Sequence, residues 1–255
     1  MIKLKSKEDI DILKEGGKRN AEILRLLAGM VRPGLSTLDL EQAAAQLLEE
    51  QGDKSATLGY TPAGARRPYP ANLCVSINEE IVHGIPNEDP KILKEGDIVT
   101  IDLSMVHKGL FTDSALTVAV GEIDEGSRKL VTATRTALEK GIARALPGKR
   151  MGDISEAIQD HAEAAGFNVA EDLAGHGVGF ALHEDPFVPN EGKAGQGPLL
   201  KPGMVIAIEP MLCAGKGAIK VLKDGYTIVT KDSSRSAHFE HTVAITETGN
   251  IILTS

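Results

Sequence analysis

The sequence predicts an α/β fold assembled from two halves that repeat one another. Three observations carry the prediction. Two helical segments share a plan in which a Pro-Gly break, Pro33-Gly34 or Pro147-Gly148, stands eighteen residues before a closing glycine, Gly52 or Gly166. Two β-branched runs follow similar turns: Leu93-Lys94-Glu95-Gly96-Asp97-Ile98-Val99-Thr100-Ile101-Asp102 and Leu200-Lys201-Pro202-Gly203-Met204-Val205-Ile206-Ala207-Ile208-Glu209. Each ends in a carboxylate. Each half then supplies a second acid beside a phenylalanine at the head of another β-rich run, Phe111-Thr112-Asp113 and Phe239-Glu240.

The elements follow in order. Ser6 and Asp9 form a capping pair ahead of Ile10, Leu13, Ala21, Leu24 and Leu27 at helical spacing, so a helix is expected over about 6–27. A second begins near Ser36 or Thr37, buries Leu40, Ala44 and Leu48, and stops at Gly52. A third is expected over about 126–145. The fourth turns Ile154, Ile158 and Ala162 inward and stops at Gly166. Across the repeat Asp39 matches Asp153, Ala43 matches Ala157 and Glu49 matches Glu163. The halves run roughly over 6–121 and 126–250. No linker separates them, so residues 1–255 are expected to form a single domain.

Composition narrows the function classes. The 255 residues carry 28 Lys+Arg against 36 Asp+Glu, a formal charge of −8, and 42% are apolar, which excludes low-complexity disorder. An acidic chain with no Trp and 3% aromatics is a poor partner for nucleic acid. The longest clean apolar run, 204–208, is far too short to cross a bilayer, and Glu8, Asp9 and Asp11 stand where a signal peptide needs apolar residues. Two cysteines, Cys74 and Cys213, make no disulfide framework and have no metal-ligand spacing, so a cytoplasmic location is expected. An enzyme or a peptide-binding module remains.

The paired acids point to chemistry. Any one of Asp102, Asp113, Glu209 and Glu240 could simply cap a strand at the surface. Four at matched positions of a duplicated unit converge if the strands face each other, and their repulsion then calls for a cation or bound protons. His176, set among Gly175, Gly177 and Gly179, is available to the same site, or is a solvent-facing turn histidine. Such a set suits a pair of divalent ions ~3.5–4 Å apart. Mixed oxygen and nitrogen donors favour Mn, Fe, Co or Zn.

The chain resembles the type I methionine aminopeptidases over essentially its whole length. The resemblance is carried by Pro33-Gly34-Leu35-Ser36-Thr37, Cys74-Val75-Ser76-Ile77-Asn78-Glu79 and His83-Gly84-Ile85-Pro86. It continues through Gly96-Asp97-Ile98-Val99-Thr100-Ile101-Asp102, Gly175-His176-Gly177-Val178-Gly179, His183-Glu184-Asp185-Pro186, Ile208-Glu209-Pro210 and Phe239-Glu240-His241-Thr242. It implies the pita-bread fold, two pseudo-symmetric α/β halves around a dinuclear metal site. Asp102, Asp113, His176, Glu209 and Glu240 are then the ligands, with Asp113 and Glu240 bridging.

By the same resemblance, His83 and His183 bind substrate and stabilise the reaction centre without ligating metal. Glu209 doubles as proton shuttle, and a metal-bound hydroxide attacks the first peptide bond. The implied activity is removal of the initiator methionine from nascent chains when the second residue is small, with association at the ribosome and a monomeric chain. Tyr60 and Cys74 match two positions of the methionine slot. Leu182 stands where phenylalanine is usual, and Tyr226 where tryptophan is common. The segment 61–72, with Arg66 and Arg67 among prolines, is longer than the family pattern and either rims the mouth or decorates the surface. His107, His161 and His238 are expected to be structural, and His241 to support Glu240. The rivals are an Xaa-Pro aminopeptidase or prolidase, which usually carries an additional N-terminal domain, and a pita-bread binding module without metals.

Overall fold

The helices start and stop where local chemistry directs. In the computed structural model, which describes residues 1–255, α1 spans Lys7–Met30 behind a reciprocal cap: Ser6 Oγ accepts from Asp9 N at 3.1 Å while Asp9 Oδ2 accepts from Ser6 N at 2.9 Å. In α2 (Thr37–Gln51) Asp39 accepts from Ser36 N at 2.8 Å. The remaining elements of the first half are β1 (Lys54–Ser55), β2 (Cys74–Ile77), β3 (Glu80–Val82), β4 (Ile98–His107) and β5 (Leu110–Ala119).

The second half opens with α3 (Glu125–Arg144) and α4 (Met151–Ala164). There Asp153 accepts from Arg150 N at 2.7 Å, repeating the cap of α2. Its strands are β6 (Asn168–Val169), β7 (Ala174–Gly177), β8 (Glu184–Pro189), β9 (Val205–Ile208), β10 (Met211–Cys213), β11 (Ile219–Val221), β12 (Ile228–Thr230), β13 (Ser236–His238), β14 (Glu240–Ile245) and β15 (Asn250–Ile252). The repeat extends to hydrogen bonds. Gly34 and Gly148, at φ +88° and +81°, donate their N–H groups to Leu93 O at 2.8 Å and Leu200 O at 3.0 Å. Each bond anchors the turn before a helix to the segment leading into an acid-bearing strand.

A nine-stranded sheet runs in the order β1-β4-β5-β14-β9-β7-β8, with β2 added on β4 and β15 on β14. Period-two alternation sorts its faces. Val99, Ile101, Leu103 and Met105 of β4 join the apolar cluster under α1 and α2, leaving Thr100, Asp102 and Ser104 on the opposite face. Ile206 and Ile208 of β9, with Val243 and Ile245 of β14, join the cluster under α3 and α4. The result is a pita-bread fold.

One expectation is corrected. Asp102 does not end its strand: β4 continues for five more residues, because Lys108 (φ +49°) and Gly109 (φ +85°) make a two-residue hairpin that pairs His107 with Leu110. The acid-bearing strands bring their carboxylates together as sheet neighbours. They lie side by side in one sheet, where β5 and β14 join the halves. No helix is long and apolar enough to cross a membrane.

The junction has only two registered backbone pairs, Glu240 with Ala115 and His241 with Ser114, and hydroxyls reinforce it. Thr242 Oγ1 accepts from Asp113 N at 2.9 Å and donates to Asp113 O at 2.7 Å. Thr117 Oγ1 accepts from His238 N at 2.9 Å and donates to His238 O at 2.8 Å. Thr242 is fully buried, so Thr242→Val strands two backbone groups of Asp113. It should cost about 1–3 kcal/mol, read as a drop in thermal midpoint of about 2–4 °C per kcal/mol. An unchanged midpoint contradicts the role given to the hydroxyl.

Candidate functional site

Five neighbouring strands each deliver one polar side chain to a common cavity of about 550 Å³: Asp102 from β4, Asp113 from β5, Glu240 from β14, Glu209 just beyond β9, and His176 from β7. Register explains the convergence. Asp113 stands opposite Ser104, Asp102 opposite Ala115, and Glu240 opposite Ala115 on the other side, so these acids are diagonal neighbours on one face. Ligand atoms of Asp113, His176 and Glu240 lie within 4.8 Å of one another. His176 Nε2 is 3.5 Å from Glu209 Oε1 and 3.8 Å from Asp113 Oδ2.

Electrostatics makes the cluster unstable as a set of bare anions. Burial, then the charge of Asp113, pushes Asp102 and Glu240 well above the ordinary carboxylate range, and the same two causes act on Glu209. Burial lifts Asp113 to about 6, opposed by hydrogen bonds from Ser104 (2.7 Å) and Ser114 N (3.1 Å). Asp102 Oδ1 and Glu240 Oε1 are buried with no hydrogen-bond partner. His176 Nδ1 donates to Gly177 O at 3.0 Å, which leaves Nε2 unprotonated and turned to the acids. Burial holds that imidazole down to about 3. Orphaned carboxylate oxygens, a neutral imidazole lone pair and mutual repulsion together fit a divalent cation.

Two histidines flank the cluster. His83 leaves β3 in the left-handed region at φ +59°, where Gly84 must pass against Val75 O; a Cβ there would lie 2.2 Å from that oxygen. Burial and the nearby His183 hold the His83 imidazole down to about 4. His183 packs edge-on against His176, with ring centroids 4.3 Å apart, and its Nδ1 is 2.8 Å from Tyr60 Oη. Beyond Asp102, Cys74 sits opposite it in register. Cys74 forms a small buried cluster with Tyr69, Ala71 and Tyr226, and Leu182 lines the same cavity. The residues expected to ligate metal, act on substrate or line the slot therefore meet in one place: Tyr60, Cys74, His83, Asp102, Asp113, His176, Leu182, His183, Glu209, Tyr226 and Glu240.

Residues 11–247 match the model of metallopeptidase family M24. The chain belongs to that family, among its methionine aminopeptidases. It is 47% identical to the methionine aminopeptidase of Aquifex aeolicus, over 99% of this chain and 98% of the relative. It is 44% identical to methionine aminopeptidase 1 of Bacillus subtilis, over 100% and 99%. The crystal structure of methionine aminopeptidase from Thermotoga maritima superposes with a TM-score of 0.95 at 45% identity, covering both chains fully. The prolidase of Pyrococcus horikoshii, at 21% identity, a TM-score of 0.76 and 63% coverage of its own chain, shares the fold. The chain is thus a metallopeptidase, an enzyme that hydrolyses peptide bonds.

Other side chains of this M24 peptidase stand differently from the sequence expectation or have no place in it. Tyr69 is buried in the pocket, yet it lies within the 61–72 segment, where no periodicity marks it. His238 is not merely structural: its Nε2 is 3.6 Å from Glu209 Oε2, both ring nitrogens lack partners, and burial holds the ring down to about 3. Its place two residues before Glu240 in an extended run was the available signal, since alternation puts both on one face. His241 points elsewhere, its Nδ1 3.0 Å from Thr254 Oγ1, so it does not support Glu240. His107 pairs with Asp53 at 2.6 Å, away from the cavity.

Removing a candidate ligand should weaken divalent-metal binding while the two apolar cores keep the fold. Asp113→Asn and His176→Ala are each expected to lower affinity on the order of 10–100-fold or more, measured by competition with a chelator, at unchanged far-UV circular dichroism. Native affinity in both variants would contradict the assignment.

Proposed function

We propose that the protein is a metal-dependent aminopeptidase that removes the N-terminal, initiator methionine from nascent proteins when the second residue is small. One observation carries the reading: a single cavity joins the buried carboxylate–imidazole cluster to an apolar slot walled by Tyr69, Cys74, Leu182 and Tyr226. A slot walled by buried groups takes one side chain and no preceding chain, which suits cleavage of the first peptide bond. A long, unbranched thioether fills it, and its burial contributes roughly 1.5–3 kcal/mol. The preference for a small second residue rests on the sequence resemblance.

Asp102, Asp113, His176, Glu209 and Glu240 would hold two divalent ions, Mn, Fe, Co or Zn. Bound there, such ions polarise the scissile carbonyl and acidify water. The chain's own groups do the rest. His83, neutral at working pH because of its depressed pKa, binds the substrate amide without setting a charge against it. His183, oriented through Nδ1 by Tyr60, turns its other ring nitrogen to the developing oxyanion. Glu209, whose carboxyl is raised by burial, carries the proton from the attacking water to the leaving amine.

One catalytic domain over 1–255, with repeats at about 6–121 and 126–250, agrees with the single sheet that both halves share. Two free, buried cysteines suit a cytoplasmic setting, where nascent chains at the ribosome are the substrate pool. We assign a monomer.

The test is turnover of Met-Gly, Met-Lys, Leu-Gly and Ala-Pro peptides by metal-stripped protein reloaded separately with Mn, Fe, Co and Zn. Met-Gly should be cleaved fastest, with Leu-Gly second because Leu182 leaves room that an aromatic ring would fill. Fastest cleavage of Ala-Pro overturns the reading in favour of an Xaa-Pro peptidase. His83→Ala and His183→Ala should keep native metal content and lose roughly 10²–10³ in kcat/KM. Loss of metal in either variant would make that histidine a ligand instead.

A further inference from the structure

The 61–72 segment is tied into the site at both ends. Residues 61–68 form a loop whose feet are Tyr60 and Tyr69. Its neck is closed by Gly59 N donating to Tyr69 O at 2.9 Å and Tyr69 N donating to Tyr60 O at 2.8 Å. One foot reaches a catalytic imidazole, through Tyr60 Oη and His183 Nδ1. The other foot is slot wall: Tyr69 meets Tyr226 edge-on, with centroids 5.1 Å apart, and its hydroxyl donates to Gly84 O at 2.9 Å.

A single residue pins the crest. Arg67 forks onto Glu88, with Nη2 2.7 Å from Oε2, and the same nitrogen donates to Asp224 O at 3.1 Å. Its guanidinium carbon stands 5.9 Å from the Tyr226 ring centroid, and its backbone carbonyl accepts the Tyr226 hydroxyl. The Asp224 carboxylate in turn accepts from Tyr226 N at 2.8 Å and Thr227 N at 2.9 Å. Arg67 therefore holds both the hydroxyl end of Tyr226 and the turn from which Tyr226 projects. Its neighbour Arg66 is exposed and makes no hydrogen bond or ion pair. The side chains of Arg67 and Glu88 are 37% and 41% exposed, so the pair adds little to global stability, and its loss should act locally.

Resting on the methionine-slot reading, we infer that Arg67 is a specificity-positioning residue, which holds the 61–68 loop down on Tyr226 and thereby sets the width of the slot. Without it the outer wall of the slot is free to swing. A slender side chain then loses contacts, and a branched one gains room.

The chain's three tyrosines are Tyr60, Tyr69 and Tyr226, and it has no tryptophan, so intrinsic emission reports on this pocket alone. Mn-loaded enzyme is titrated with L-methionine in the wild type, Arg67→Met, Glu88→Gln and Arg66→Met, alongside kcat and KM for Met-Gly and Leu-Gly peptides. Arg67→Met should raise the Kd for methionine and the KM for Met-Gly about tenfold. It should leave kcat within about twofold and lower the Met-to-Leu ratio of kcat/KM. Glu88→Gln should follow in the same direction, and Arg66→Met should match the wild type, all with unchanged thermal midpoints. Wild-type Kd, KM and selectivity in Arg67→Met overturn the inference, as does a loss confined to kcat, which would locate the effect at His183. If the wild type neither responds to methionine nor cleaves Met-Gly while cleaving other peptides, the slot reading and this inference both fall.

Discussion

The mutual repulsion of Asp102, Asp113, Glu209 and Glu240, drawn together out of bulk water, is the constraint to which the rest of the structure answers. Like charges at this spacing cannot all ionise, and the raised carboxyl pKa values express that cost. The arrangement persists because each acid is fixed by a strand whose alternate residues are buried in large apolar clusters on the far side of the sheet. Ser104, Ser114 and Thr242 then fix Asp113 in place, and Asn190 Nδ2 holds Glu209 by its backbone carbonyl at 2.9 Å. A cation relieves the repulsion; the apolar cores hold the geometry in its absence.

Position in the sheet also accounts for the direction of attack on a peptide. The ligand cluster straddles the junction of β5 and β14, where backbone pairing is short, while the slot lies to the side of Asp102 next to β2. On the proposed function, a substrate would enter with one side chain in the Tyr69–Cys74–Tyr226 cluster and its first carbonyl over the acids. His83 and His183 come from turns flanking that line, one forced out of strand geometry by a close backbone approach and the other braced by Tyr60.

Local signals were legible in the sequence, and pairings between distant strands were not. The Ser6–Asp9 cap, the start of the second helix near Ser36, the Pro33-Gly34 and Pro147-Gly148 breaks and the duplicated acid-bearing runs are short-range features, and each appears in place. The candidate ligands were readable because duplication marked four acids at equivalent positions. The continuation of β4 past Asp102 was missed because an acid in a β-branched run looks like its end. The Lys108-Gly109 hairpin that extends it is a two-residue signal. Tyr69 escaped because its place in the cavity depends on the loop neck that joins Gly59 and Tyr60 to it, a pairing that no periodicity marks.

The most direct test of this account is anomalous diffraction from crystals of the chelator-treated protein soaked in Mn(II). The account predicts signal in the cavity between Asp113, His176 and Glu240, with Asp102 and Glu209 completing the ligand set on either side. Anomalous peaks confined to surface carboxylates, with the five side chains left unligated at saturating metal, would contradict it.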